Sequence, residues 1–303
     1  SAGSSWYYMR YIDPRNESCL ADPSLLKHWL PVDLYVGGPE HAVGHLLYSR
    51  FWNEYLYDKG VSPVREPFTK LRHQGMILGS NGEKMSKSRG NVINPDDIVK
   101  NYGADSLRLY GMFMGPIDAA KPWDPNGIEG SKKFLDRVWR LYTESGKISQ
   151  SDDTTLEKIY HATVKKVTSD YENMFFNTAI SQMMIFINHA YKEAVLPISY
   201  AEGFLKLLNP VCPHITEELW NLLGHHTSIA YETWPTFDES KLIENTIEIP
   251  VQINGKLKAT VTVPLDCDQV VAQEIVHAND TITELLKEKN VVKEIYVKNK
   301  IYN

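Results

Sequence analysis

Gly82-Glu83-Lys84-Met85-Ser86-Lys87-Ser88-Arg89-Gly90-Asn91 sets two lysines three residues apart among small hydroxyl residues, with a glycine toward either end. Glycine frees the backbone, so a mobile loop is expected here. A lysine ammonium is a compact charge on a flexible stem, suited to following a phosphate whose charge moves during a reaction. Just downstream, Asn94-Pro95-Asp96-Asp97 reads as a helix start, with Asn94 as N-cap, Pro95 in the first helical position and acidic residues in the first turn. A basic loop ending against a helix N-terminus suits phosphate binding, because that terminus also attracts anions. The residues alone also allow the ordinary reading, in which Lys84, Lys87 and Arg89 are solvated charges on a surface turn.

Upstream of the loop, residues 1–12 form an aromatic stretch (Trp6, Tyr7, Tyr8, Tyr11), and residues 13–31 are broken by Pro14, Pro23 and Pro31. The first reads as a core-facing helical turn, the second as a connection with at most a short helix. Asp33-Leu34-Tyr35-Val36 is a short apolar run ending at Gly37-Gly38, as in a buried strand that meets a turn. A helix is predicted from Glu40 to about Tyr57 on the apolar residues Leu46, Leu47, Phe51, Tyr55 and Leu56. His41 and His45 then share one face. A zinc site would need a third ligand, and no HExxH pattern is present. Packing histidines, or histidines bonding a polar ligand at the end of a strand, both remain. Lys70 to Gly79 reads as the next strand, feeding straight into the lysine loop. Strand, helix, strand in this order predicts part of a doubly wound sheet.

Downstream, helices are predicted from Pro95 to Asn101, closed by Gly103, and from Ala104 to Met114, stopped by Gly115-Pro116. From about residue 128 the pattern becomes a helical bundle. Phe134, Leu135, Val138, Leu141 and Tyr142 form one apolar stripe, and Phe176, Ala179, Ile180, Met183, Ile187, Ala190 and Ala194 another. Lys133, Arg137 and Arg140 lie on a basic face that is either solvated or an RNA contact. Ser199-x-x-Glu202 has the form of a capping box, and Pro210-Val211-Cys212-Pro213 breaks the helix that follows it. Then Asn254-Gly255, the favoured type I′ turn, sits between the alternating runs Ile247–Ile253 and Leu257–Val263. A helical stretch from Gln269 to Lys289 and a strand from Val292 to Val297 complete a small α+β unit.

The 303 residues suggest about two domains on the usual prior of ~150 residues each. Composition is that of a globular protein, and no apolar run approaches the ~20 residues needed to cross a bilayer. Cys19, Cys212 and Cys267 are far apart, with no CxxC spacing, which argues against a zinc site or a disulfide framework and weakly for a reducing, cytoplasmic setting. The net charge of −6 gives no global nucleic-acid signal, so any RNA contact has to be local. The N-terminal residues are neither a signal peptide nor a lipidation signal, and the absence of an initiating Met is what a piece of a longer chain would show.

Lys84-Met85-Ser86-Lys87-Ser88 matches the KMSKS signature of class I aminoacyl-tRNA synthetases letter for letter. Ser4-Ser5-Trp6-Tyr7-Tyr8, Tyr35-Val36-Gly37-Gly38-Pro39-Glu40-His41-Ala42 with His45-Leu46-Leu47-Tyr48, and Gln74-Gly75-Met76 follow the leucyl pattern of that class. Tyr102-Gly103-Ala104-Asp105-Ser106-Leu107-Arg108 and Asn209-Pro210-x-x-Pro213-His214-Ile215-Thr216-Glu217-Glu218-Leu219-Trp220 are shared more widely. The chain thus resembles, over nearly its whole length, the C-terminal part of a bacterial-type leucyl-tRNA synthetase.

That resemblance implies an α/β and all-α multidomain chain. Residues 1–120 would be the C-terminal half of a Rossmann-like catalytic domain, 121–240 a helical anticodon-binding bundle, and 241–303 a small α+β domain that reaches tRNA. It implies an aminoacyl-tRNA ligase in which leucine and ATP give leucyl-adenylate and the leucyl group passes to tRNA-Leu, a problem of positioning and electrostatics. Lys84 and Lys87 would supply charge to the phosphates. Ser4, Tyr7 and Tyr35 would line the leucine pocket. Gly37, Gly38, Glu40, His41, His45, Gln74, Met85, Ser86 and Ser88 would hold ATP and the adenylate. Lys256, Lys258, Lys298 and Lys300 join Lys133, Arg137 and Arg140 as candidate tRNA contacts. Mg²⁺ is expected with ATP although no dedicated metal ligands are visible, and the protein is expected to be a monomer without a membrane partner. Two departures stand out: His41-Ala42-Val43-Gly44-His45 only mimics the missing HIGH-type motif, and no editing or zinc-bearing module is present. These 303 residues alone are therefore expected to be nearly inactive. A non-catalytic RNA-binding module and a small-molecule nucleotidyltransferase are the alternatives, the second disfavoured by the bundle and hairpin.

Overall fold

The architecture is that of a computed structural model, which describes residues 2–242, 246–287 and 291–303. It divides into two compact units, Ser1–Phe237 and Asp238–Asn303. The first unit opens with helix α1 (Ala2–Arg10) and α2 (Pro23–Trp29), the latter N-capped by Asp22, whose side chain accepts from the Ser24 amide. Strand β1 (Tyr35–Gly37) follows, then a 3₁₀ turn (Pro39–Ala42) and helix α3 (His45–Asp58). The helix predicted from Glu40 is thus interrupted, and His41 and His45 do not share a helical face. Gly44 adopts φ −109° and ψ −114°, outside the helical region, and breaks the run.

The predicted strand from Lys70 to Gly79 is also two strands, β2 (Leu71–His73) and β3 (Ile77–Leu78). β2 pairs in parallel with β1, Tyr35 opposite Leu71. Gly75 makes the division: its amide donates to the Ile117 carbonyl at 2.7 Å. A Cβ on Gly75 would lie 1.9 Å from the Ala119 carbonyl oxygen, so no other residue fits that crossing. Past the lysine loop, α4 (Pro95–Tyr102) begins as predicted, with the Asn94 side chain accepting from the Asp96 amide. It ends at Gly103, φ +88°, which leads directly into α5 (Ala104–Phe113). β4 (Lys121–Pro122) pairs in parallel with β3.

The bundle comprises α6 (Gly127–Thr143), α7 (Glu157–Glu172), α8 (Phe176–Lys192), α9 (Ile198–Leu208) and α10 (Pro213–Leu222), with the short parallel pair β5 (Ile148–Ser149) and β6 (Leu196–Pro197) at the loops. Phe134, Val138, Leu141, Val164, Met183, Phe186, Ile187, Phe204 and Leu205 close one continuous core. Ala194 lies past the end of α8 and is exposed, whereas Phe186 takes a core position. The capping box does not form. α9 starts one residue before Ser199, after Pro197, and Glu202 instead accepts from His225 Nε2 at 2.8 Å.

In the second unit, β7 (Thr246–Ile253) and β8 (Lys256–Pro264) form the predicted hairpin, with Asn254 at φ +53° and Gly255 at +75°. α11 (Gln269–His277) and α12 (Asp280–Leu286) divide the predicted helical stretch at Asn279, which caps α12. The predicted helix end at Lys289 lies outside the described residues. β9 (Tyr296–Val297) and β10 (Ile301–Tyr302) complete a sheet ordered β8-β7-β10-β9, so the final strand is shorter than the sequence suggests. Among the described residues no helix is long and apolar enough to cross a membrane.

Candidate functional site

Six of the residues singled out from the sequence meet around one cavity of about 500 Å³: Ser4, Tyr7, Tyr35, Gly37, His41 and His45. α1 brings the first two, β1 the next two, the 3₁₀ turn after β1 brings His41, and the start of α3 brings His45. His45 is the strut of this group. Its Nε2 lies 2.6 Å from the Ser4 carbonyl and its Nδ1 3.0 Å from the Tyr35 hydroxyl. A carbonyl only accepts, so Nε2 carries the proton and Nδ1 receives the Tyr35 O–H. Both ring nitrogens are thereby spent on the protein itself, and the ring stacks on Tyr35 at 5.7 Å and 17°. Burial, then the neighbouring Tyr7, pushes the Tyr35 phenol up and keeps it a donor.

Other predicted residues sit beside this cavity. The Gln74 backbone N–H donates to the Gly37 carbonyl at 3.0 Å. The Glu40 carboxylate folds back over Gly38, where a Cβ would come within 2.2 Å of it. His41 Nε2 is 3.9 Å from Glu40. The cavity has further walls that the sequence reading missed: Tyr8, Val32, Leu34, Val36 and Phe68. Burial raises the Tyr8 phenol, and among the described residues its hydroxyl has no hydrogen-bond partner. Tyr8 could have been found by its place in the aromatic stretch. Phe68 could not, because it reaches Tyr35 (ring centroids 4.8 Å apart) only through the parallel pairing that sets Val32 against Phe68.

The lysine loop does not line this cavity; it forms its own compact element. Leu78 bridges antiparallel to Lys84, and the turn between them is closed by the Gly79 amide on the Glu83 carbonyl at 2.8 Å. The two glycines serve defined turns, φ +77° at Gly82 and +64° at Gly90. Met85 packs against the cluster of Tyr110, Trp123 and Ile128, while Lys84, Lys87 and Ser88 are exposed and Ser86 is half-buried. Arg89 pairs with Glu83 at 3.1 Å, and Ser86 and Ser88 hydroxyls are 3.1 Å apart.

The two widely shared motifs meet. Asp105 is 7% exposed and accepts from the Ile215 amide at 2.7 Å, the His214 amide at 3.3 Å and His214 Nδ1 at 2.8 Å. It therefore caps α10 from another helix, satisfying donors that a helix start leaves open. Arg108 donates to the Val211 and Pro210 carbonyls, both at 2.9 Å. α5 thus holds the turn before α10 and the start of α10 through two of its side chains.

Of the candidate tRNA contacts, Lys133 and Arg140 are exposed on α6, whereas the Arg137 guanidinium lies 4.9 Å over the Tyr191 ring. In the second unit Lys256, Lys258, Lys298 and Lys300 are exposed, and Lys298 lies 3.5 Å from Asp266. Among the described residues no cluster of three or more His, Cys, Asp or Glu could hold a metal ion.

A sheet fragment with a KMSKS loop, joined through Asp105 and Arg108 to a helical bundle, is the build of a synthetase, and the family models agree. Residues 21–121 match tRNA synthetases class I (I, L, M and V), and residues 153–275 match the anticodon-binding domain of tRNA ligase. The chain belongs to the class I tRNA synthetases. Within that family it is similar to the leucyl-tRNA synthetase of Agrobacterium radiobacter K84, whose structure is a ternary complex with tRNA and LeuAMS: 34% identity, TM-score 0.76, 99% of this chain and 41% of that one. The chain thus spans about two-fifths of that relative. Methionyl-tRNA synthetase of Mycobacterium tuberculosis, bound by methionyl-adenylate, shares the fold at 18% identity and TM-score 0.55, covering 69% of this chain and 48% of its own.

Proposed function

We propose that this chain is the part of a leucyl-tRNA synthetase that carries the KMSKS loop and the tRNA-binding bundle. The observation that carries the reading is the gathering of Ser4, Tyr7, Tyr35, His41 and His45, far apart in sequence, around one cavity of a size suited to a small ligand. Apolar walls from Val32, Leu34 and Phe68 suit a branched aliphatic side chain. Ser4, Tyr7 and Tyr35 face leucine. Gly37, Gly38, Glu40, His41 and Gln74 take the adenylate, and His45 acts through Tyr35 and the Ser4 carbonyl. Lys84 and Lys87, with Ser86 and Ser88 beside them, place positive charge and hydroxyls against the ATP phosphates as leucyl-adenylate forms, a stabilisation that removal of one such group weakens by about 10²–10³-fold. Met85 anchors the loop on the adenine side. Mg²⁺ enters with the ATP phosphates.

Residues 121–240 bind the body of tRNA-Leu and 241–303 extend the contact through Lys256, Lys258, Lys298 and Lys300; residues 1–120 serve the chemistry. The protein works as a monomer in the cytoplasm. The test is leucine-dependent ATP–pyrophosphate exchange. These 303 residues alone, which contain no HIGH-type segment, run near background. Mixed with the HIGH-bearing part of a leucyl-tRNA synthetase they restore exchange, and Lys87→Ala removes it. Exchange at a complete synthetase's rate from this chain alone contradicts the inactivity, and exchange driven by valine or methionine contradicts the leucine assignment.

A further inference from the structure

We propose that Asn91 is the positioning residue of the lysine loop, the side chain that fixes where Lys84 and Lys87 stand; this rests on the reading of those lysines as the charge that meets phosphate. The Asn91 carboxamide works in two directions at once. Its Oδ1 accepts from the Ser86 amide at 2.9 Å, and its Nδ2 donates to the Lys84 carbonyl at 3.3 Å. One side chain therefore grips the backbone on both sides of Met85, whose own side chain is seated in the cluster below. The room for this grip comes from Gly79: a Cβ there would lie 2.9 Å from Asn91 Nδ2, so the residue at 79 has to be small for the carboxamide to enter.

The grip treats the two lysines differently. Lys84 is fixed at both ends, by its bridge to Leu78 and by the Asn91 contact to its carbonyl. Lys87 opens the 3₁₀ turn Lys87–Arg89 that runs from one gripped point, Ser86, to Asn91 itself. The turn is braced by the Arg89 amide on the Ser86 carbonyl at 3.1 Å and the Gly90 amide on the Lys87 carbonyl at 3.2 Å. Asn91 closes that six-residue ring, so the ring moves as a unit only when the carboxamide lets go. Glu83–Arg89 adds an exposed ion pair across the same loop, which contributes little on its own.

The test uses the whole chain. Trypsin cuts after Lys84, Lys87 and Arg89, so the initial cleavage rate reads loop opening directly, and hydrogen exchange reads the Ser86 amide. Asn91→Ala is expected to raise both by about ten-fold, the loss of roughly one net hydrogen bond, with the thermal melt unchanged. Asn91→Asp keeps the acceptor for the Ser86 amide and restores its protection. Glu83→Gln changes cleavage by less than about two-fold. If Asn91→Ala lowers the melt, the Ala and Asp variants are compared with each other: equal Ser86 exchange in the two overturns the proposal, as does wild-type exchange in Asn91→Ala. Magnesium pyrophosphate is the separate probe. It should slow wild-type cleavage at the loop, and Asn91→Ala should need about ten-fold more of it. No protection of the wild type at any concentration contradicts the phosphate reading of the lysines, while the Ser86 exchange still judges the grip.

Discussion

The helical bundle and the strand-bearing residues before it belong to one compact unit yet are built on opposite plans. In the bundle, apolar stripes turn inward: Phe186, Ile187, Phe204 and Leu205 are fully buried. In α3 the plan is inverted. Its buried positions are Ser49 and Asn53, and the Asn53 amide donates to the Val64 and Arg65 carbonyls while its oxygen accepts from Ser62. Its outer face carries Leu47, Tyr48 and Phe51, at 54, 56 and 69% exposed. Parallel strands are normally covered on both faces and flanked by more strands, whereas β1 and β2 here form a two-stranded sheet. The bundle buries its apolar stripes, whereas the outer face of α3 leaves Leu47, Tyr48 and Phe51 open.

The contrast is sharpest when one residue type is removed from each side. Phe186→Ala in the bundle core is expected to cost about 3–5 kcal/mol, seen as a large drop in the urea midpoint. Phe51→Ala on the open face is expected to change stability by less than about 0.5 kcal/mol and to reduce self-association at high concentration. Equal costs for the two would break the comparison.

Asp105→Ala comes next, at about 1–3 kcal/mol, because it leaves the His214 and Ile215 amides of α10 without an acceptor. Asp105→Asn, which keeps one acceptor oxygen, should recover part of that loss in the same unfolding experiment. Gly203→Ala probes the bundle from inside: its Cβ would fall 1.9 Å from the Tyr160 hydroxyl, and overpacking of this kind costs about 1–3 kcal/mol.

A further test uses alkali. Burial holds the Tyr160 phenol up at about 12. Below the unfolded value of 10 both states keep the proton, so stability is flat there. Between pH 10 and about 12 the unfolded state loses it first, so the bundle weakens as pH rises. A melting temperature that climbs over that window would contradict the buried-phenol account.

Much of this was legible in the residues. Asn94-Pro95 and Gly103 bound α4, Gly115 and Pro116 follow the end of α5, and Asn254-Gly255 turn the hairpin where their chemistry dictates. The KMSKS string named the family by itself. What stayed hidden depends on pieces of chain far apart. Gly75 divides a strand because of the Ala119 carbonyl, more than forty residues on. Phe68 joins the pocket only through strand pairing, Asp105 caps a helix more than a hundred residues away, and Asn91 looks like the tail of a motif until its two hydrogen bonds are seen. Periodicity reads local faces; it carries no register.

The proposal that the chain is the tRNA-binding part of a leucyl enzyme is tested most directly by a filter-binding titration. The chain would be titrated with tRNA-Leu, tRNA-Val and an unrelated hairpin RNA at several salt concentrations. The account predicts submicromolar binding that prefers tRNA-Leu, with a salt slope reporting several phosphate contacts. Weak binding of all three RNAs without preference would contradict it.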